Sequence, residues 1–161
     1  MSKQFFYNRQ KAVEYANIYS FSRNPKYYDF SNLGGNCTNF VSQCLHAGGC
    51  PFNFEYPLGW FYKSINNRSP SFTGVEFLYN FLVRQDKSTG PKAVLAPIEH
   101  LDIGDIIQLS FDEIKFSHTL IVTKVNHQNP SNPYCATNTF DAFDRQLSSY
   151  NYFIARGLKV S

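Results

Sequence analysis

Cys37 is the side chain in this sequence best placed to act as a nucleophile. It stands in GGNCTNFVSQCLHAGG, Gly34 to Gly49, where two glycines precede the cysteine, an apolar stripe of Phe40, Val41, Cys44 and Leu45 follows at helical spacing, and two glycines close the run. The pattern reads as a turn, a helix of about three turns and a stop. Cys37 then opens the helix, where unpaired backbone N–H groups and the positive end of the macrodipole favour an anion. A thiolate is such an anion, and this placement can bring a cysteine pKa from about 8.5 down to between about 3.5 and 7.5, most of all with an imidazolium nearby.

A cysteine nucleophile needs a base to take its proton and a third group to hold that base in the useful tautomer. Of the four histidines, His46 lies on the Cys37 helix about 13 Å along its axis, too far to serve, and reads as a surface residue or a partner for the helix C-terminus. His100 and His127 fall in predicted loops and read as solvated. His118 opens a predicted strand, ahead of Leu120 and Val122 on the same pleat face. A side chain there stands at the rim of a sheet, either as a hydrogen-bonded core residue or as a base. A turn near Asn129 and Pro130 brings residues around 118 level with 138 to 141 on the next strand. Within that window Asn138 and Asp141 are the polar side chains, and either could accept a hydrogen bond from the His118 ring. Asn138 shares a face with Tyr134 and Ala136, whereas Asp141 falls past the strand end.

The elements that must carry these residues are legible as patterns. Ala12, Tyr15, Ala16 and Tyr19 recur at helical spacing behind Asn8, which predicts a first helix from about Arg9 to Tyr19. The loop SRNPKYYDFSNLGGN delivers the chain to Cys37. After Gly49, CPFNFEYPLGWFYKSINNRSPS has no sustained period and reads as a long loop, whose Trp60, Phe61 and Tyr62 form either a wall of a substrate groove or a satellite core. Thr73 with Glu76 fits a capping box for a third helix with Phe77, Leu78, Phe81 and Leu82 on its apolar face. From Asp102 the texture changes to β-branched runs, GDIIQLSF, SHTLIVTKV, NPYCATNTF and YFIARGLKV, separated by hairpin-length connections. Helices followed by a sheet of consecutive hairpins is the pattern of an α+β fold with an antiparallel sheet.

Composition narrows the function further. The 161 residues are expected to form one domain, 1–161, with 43% hydrophobic and 17% aromatic residues against 17% charged, nothing like a disordered chain. The formal charge of +3 is spread over single basic residues, which gives no electrostatic footprint for nucleic acid. The opening MSKQFFYNRQKAVEYA lacks the apolar core of a secretory signal and no run approaches the roughly 18 residues of a membrane span, so the expectation is a cytoplasmic protein, no membrane partner, or release by a route the sequence does not show. A monomer without cofactor is expected. Cys37, Cys44, Cys50 and Cys135 form no CxxC and read as reduced thiols; Cys37 and Cys44, about 10 Å apart on one helix, cannot bridge, although Cys44 and Cys50 could.

Together these stretches carry a resemblance. GGNCTNFVSQCLHAGG, preceded by YNRQKAVEYA and the loop NPKYYDF, resembles the putative amidase domain family of bacterial cell-wall-associated hydrolases, a branch of the papain-like superfamily that includes the NlpC-type and CHAP peptidases. IGDIIQLSF with SHTLIVTKV resembles the paired strands that carry the histidine there, and YCATNTFDAFDRQL the segment that supplies the third polar group. The resemblance implies a papain-like α+β fold, N-terminal helices packed on a C-terminal antiparallel sheet. It also implies a cysteine amidase or peptidase acting through a thioester on a peptide or muropeptide substrate. Carried over by residue, Cys37 is the nucleophile, His118 the base and then acid, and Asn138 the orienting group. The oxyanion would meet the Cys37 N–H, with Asn36 as a side-chain donor. Two readings of other classes compete: zinc stapled by Cys37, Cys44, His46 and Cys50, and an inactive peptide- or wall-binding module.

Overall fold

The computed structural model describes residues 5–161. Four helices, α1 (Arg9–Tyr19), α2 (Cys37–Ala47), α3 (Pro70–Thr73) and α4 (Val75–Leu82), precede most of the sheet. The strands are β1 (Tyr62–Ser64), β2 (Asn67–Arg68), β3 (Ala93–Ala96), β4 (Ile106–Ser110), β5 (His118–Lys124), β6 (Tyr134–Thr137), β7 (Ala142–Gln146) and β8 (Ile154–Val160). β1 and β2 form a small hairpin, and the other six make one antiparallel sheet in the order β3-β8-β4-β5-β6-β7. This is the expected α+β arrangement of N-terminal helices packed on a C-terminal antiparallel sheet.

The sheet departs from a run of consecutive hairpins. β4 to β7 do follow one another, but β8 crosses back to lie between β3 and β4. Leu158 and Val160 are buried there and Gly157 lies so close to Ala96 that a Cβ would sit 2.5 Å from the Ala96 carbonyl oxygen. An apolar strand with such a contact gains more from two neighbours than from an exposed edge. The edge strands β3 and β7 have mixed burial and weak patterns, and sequence periodicity does not reveal them.

Two apolar clusters lie on the two faces of the sheet. Ile106, Ile121, Ala136 and Leu158 face the helices, packing with Ala12, Ala16, Phe40, Val41, Cys44 and the aromatic loop. Ile107, Leu109, Leu120, Val122 and Cys135 face the other way with Leu147 and Tyr150. α1 opens on Asn8, whose side chain accepts a hydrogen bond from Lys11 N–H at 2.9 Å. It is locked to the sheet by Arg9, which pairs with the buried Asp105 at 2.6 Å and also donates to the Val160 carbonyl. The loop after Cys50 is more ordered than its sequence suggests, closed by an Asn53–Trp60 bridge and the β1–β2 hairpin. Thr73 and Glu76 form no capping box: Thr73 ends α3, Gly74 separates the two helices, and Glu76 instead pairs with Arg156 at 2.8 Å.

Candidate active site

α2 begins at Cys37 after Gly34 and Gly35, whose φ values of +93° and +107° an L side chain rarely adopts. These two turns let the chain enter the helix abruptly. The helix is then fixed to the sheet: Thr38 Oγ1 lies 2.8 Å from Thr119 Oγ1, joining the residue after Cys37 to the residue after His118. This cross-link brings Cys37 and His118 to one cavity of about 500 Å³. Its walls are Gly34 and Gly35 before the helix, Phe111 and Ser117 beside His118, Thr139 and Phe140 from the β6–β7 corner, and Arg145, Tyr150 and Asn151 opposite.

Both reactive groups are mostly enclosed, at 6% exposure for Cys37 and 7% for His118. Burial pushes the Cys37 thiol above its ordinary range, although the N–H groups of Thr119, Thr38 and Cys37 itself oppose the rise. Burial also lowers His118, to about 4, with the Arg145 charge adding to the effect. Both shifts favour the neutral forms, a thiol and an imidazole, so burial works against the thiolate that the helix N-terminus would favour. Desolvation outweighs the dipole here. The His118 ring sits between Phe111 and Tyr150, with centroids 6.3 Å and 6.1 Å away, and has no hydrogen-bond partner among the described residues.

Asn138 does not touch that ring. Its Oδ1 accepts from Asn36 Nδ2 at 2.9 Å, and its Nδ2 donates to the carbonyls of Ser20 at 2.9 Å and Tyr19 at 3.3 Å. The physical reason is pleat parity. Ala136 opposes Ile121, so continuing the register places Asn138 opposite Thr119, on the helix side, while His118 shares the other face with Leu120 and Val122. Asp141 is no closer in function: it forms a two-oxygen pair with Arg23 at 3.0 and 3.1 Å.

Asn36 is likewise engaged away from the cavity. Its Oδ1 accepts from Phe30 N–H at 3.0 Å and Asn39 Nδ2 at 2.9 Å, and its own N–H donates to Thr139 Oγ1 at 2.7 Å. The Asn36 amide, expected as a side-chain donor to an oxyanion, is thus already engaged with Phe30, Asn39 and Asn138. Trp60 is also corrected: it is fully buried, donates to Ser42 Oγ at 3.1 Å and packs on Phe72 and Phe52, so it belongs to the main core and lines no groove. Its long apolar indole was better satisfied against α2 than against solvent. Asn39, Ser42 and Gln43 are buried as well, Gln43 accepting from Tyr15 Oη at 2.6 Å.

Thr139, Arg145 and Tyr150 are site residues that the sequence reading did not single out. Thr139 and Phe140 hold φ of 60° and 61°, a strained corner that turns Thr139 Oγ1 onto the Asn36 N–H and leaves Phe140 81% exposed at the cavity mouth. The polar run TNT beside the expected strand end was the available signal. The four cysteines are buried and unbridged, and among the described residues no three His, Cys, Asp or Glu side chains converge to hold a metal ion. His46 instead stacks on Phe52 and bonds the Cys50 carbonyl at 2.9 Å. No helix among the described residues is long and apolar enough to cross a membrane.

An α+β scaffold that delivers a cysteine at a helix start and a histidine at a strand start to one cavity suits acyl-transfer chemistry, and the comparisons give the class. Residues 6–158 match the family described as Putative amidase domain, so the chain belongs to that family, whose name points to amide hydrolysis. The chain is also similar to the Bacillus subtilis (strain 168) protein called Uncharacterized protein YhbB, 37% identical over 151 residues. That alignment covers 91% of this chain and 46% of YhbB, so the chain spans about half the length of the curated relative it matches. No solved structure matches the chain.

Proposed function

We propose that the protein is a papain-like cysteine amidase or peptidase that cleaves an amide of peptidoglycan-type peptides through a thioester. The observation that carries this reading is the shared cavity of Cys37 and His118, with their neighbours Thr38 and Thr119 joined at 2.8 Å. Because both groups rest neutral, His118 acts as base when substrate arrives. It takes the thiol proton as sulfur bonds to the carbonyl carbon, and the new oxyanion is met by N–H groups at the start of α2. The C–N bond then breaks, with His118 returning its proton to the leaving nitrogen. Water attacks the thioester, giving one proton to His118, and the thiol is regenerated as the acid half departs. Asn138 supports this as a positioning residue that ties α1 and the Asn36 turn to the β6 end.

The test is to incubate the protein, Cys37→Ala and His118→Ala with defined muropeptides and to read the products by mass. A single cleaved amide, lost by about a thousandfold or more in both variants, is the expected result. Undiminished cleavage by Cys37→Ala would overturn the cysteine mechanism, and intact muropeptides beside rapid cleavage of other amides would overturn the substrate.

A further inference from the structure

Of the six arginines in the chain, four pair with a carboxylate. Among the described residues Arg145 has no such partner, and it lines the Cys37 cavity, to which no described Asp or Glu contributes. Its guanidinium is nevertheless held in place. Nε donates to Ser149 Oγ at 2.8 Å, Nη2 donates to the Ser149 carbonyl at 3.1 Å, and the group lies over the Tyr150 ring, 4.0 Å from its centroid. One edge of the fork is thus anchored, and Nη1 has no acceptor among the described residues. β6 pairing explains the placement: Arg145 is directly opposite Cys135, on the same face of the sheet as His118.

A second group in the cavity has no partner. Tyr150 is 7% exposed, and its buried hydroxyl, beside the Arg145 guanidinium, has no acceptor among the described residues. Burial raises this phenol to about 12, so it remains a protonated donor. An unpaired buried hydroxyl is costly, and a ligand entering beside it can supply the missing acceptor. A fixed cation with a free edge and a neutral O–H donor beside it match a planar anion with two oxygens, which is the geometry of a carboxylate.

We propose that Arg145 and the Tyr150 hydroxyl form a carboxylate subsite beside Cys37 and His118, so that the amide cleaved belongs to a substrate with a free carboxylate close to the scissile bond. The proposal rests on the thiol-dependent reading above and narrows its substrate class. Arg145 sets specificity in it, and Tyr150 supplies the neutral donor.

The experiment uses Cys37 itself as reporter and needs no turnover. The protein is labelled at pH 8 with N-iodoacetylglycine and, separately, with N-iodoacetylglycinamide, and the rate at Cys37 is read by peptide mass. The two probes differ only in a carboxylate against a carboxamide, so their rate ratio cancels the thiolate fraction. The expected ratio in the folded protein is about fivefold or more above that of the urea-unfolded chain. Arg145→Gln brings it to within about twofold of the unfolded value, Arg145→Lys keeps a substantial part, and Tyr150→Phe lowers it by about twofold. Tyr150→Phe removes an atom with no partner, so it reads the subsite even if Arg145→Gln fails to fold. A folded ratio equal to the unfolded one, or a raised ratio unchanged by both Arg145→Gln and Tyr150→Phe, overturns the subsite while leaving the nucleophile standing. Absence of any label on Cys37 removes the nucleophile, and the subsite falls with it.

Discussion

The two faces of the β5–β6 rim are built on opposite terms. On the helix face, Thr119 meets Thr38 and Asn36 meets Asn138, while Thr139, at the corner that also walls the cavity, accepts from the Asn36 N–H. On the cavity face, one residue along from Thr119 and from Thr38, the His118 ring and the Tyr150 hydroxyl have no hydrogen-bond partner among the described residues, and burial pushes the Cys37 thiol up. A saturated network fixes geometry but offers nothing to a ligand, whereas a set of unpartnered groups offers its hydrogen bonds to whatever enters. On the proposed reading the helix face serves the fold and the cavity face the chemistry, a contrast that can be broken from either side.

The largest effects should separate activity from stability. Cys37→Ala is expected to lower amide hydrolysis by about a thousandfold while moving the urea midpoint little, because it removes one buried sulfur from a cavity wall. Asn138→Ala should do the reverse, costing about 2–4 kcal/mol in urea unfolding, since it strands the Asn36 amide and the Ser20 and Tyr19 carbonyls, while the folded fraction keeps measurable turnover. Equal damage to kcat from both variants at unchanged stability would erase the distinction between the faces.

Next comes the acid side. The His118 pKa is depressed in the folded protein, to about 4 from an ordinary 6.5, so the native state binds fewer protons than the unfolded chain between those values. Stability from this source is complete above about pH 6.5 and declines as pH falls toward 4, by about 2–3 kcal/mol. Urea midpoints at pH 7.5 and 4.5 for the wild type and His118→Gln should show a smaller acid loss in the variant. For the same reason Cys37 alkylation should climb steadily through the thiol range with no plateau between pH 5 and 7, the plateau being the mark of a resting thiolate–imidazolium pair.

Smaller shifts sharpen the comparison. Thr119→Val removes the hydroxyl that meets Thr38 and should cost about 1–2 kcal/mol, with a further loss of kcat as the helix start loosens against the strand. Tyr150→Phe should raise stability by less than about 1 kcal/mol, because its hydroxyl is buried without a partner among the described residues. A clear loss in thermal melting for Tyr150→Phe would show that this hydroxyl serves the fold, and the cavity face would no longer be distinct.

The sequence carried the helix signals well because they are local. Asn8 ahead of a 3.6-residue period marked α1, and the glycine pairs around Cys37 marked α2, each with the bounds expected. The position of β8 was not legible, since nothing local in IARGLKV states which strands it will join. Asn138 teaches a narrower lesson. The hairpin does bring residues near 118 level with 138, yet Ala136 opposes Ile121, and alternation from there puts Asn138 on the face away from His118. Proximity along a strand is not proximity across a pleat. Arg145 and Tyr150 lay beyond reach for another reason: they enter the cavity through the β6–β7 pairing and the turn after β7, contacts that no spacing in the chain encodes.

The most direct test is the mass of the protein quenched in acid during turnover of a muropeptide. The account expects the acyl half of the substrate on the peptide containing Cys37, in wild type and in larger amount when attack by water on the thioester is slowed. Products appearing at full rate with no such adduct, and equally from Cys37→Ala, would contradict it.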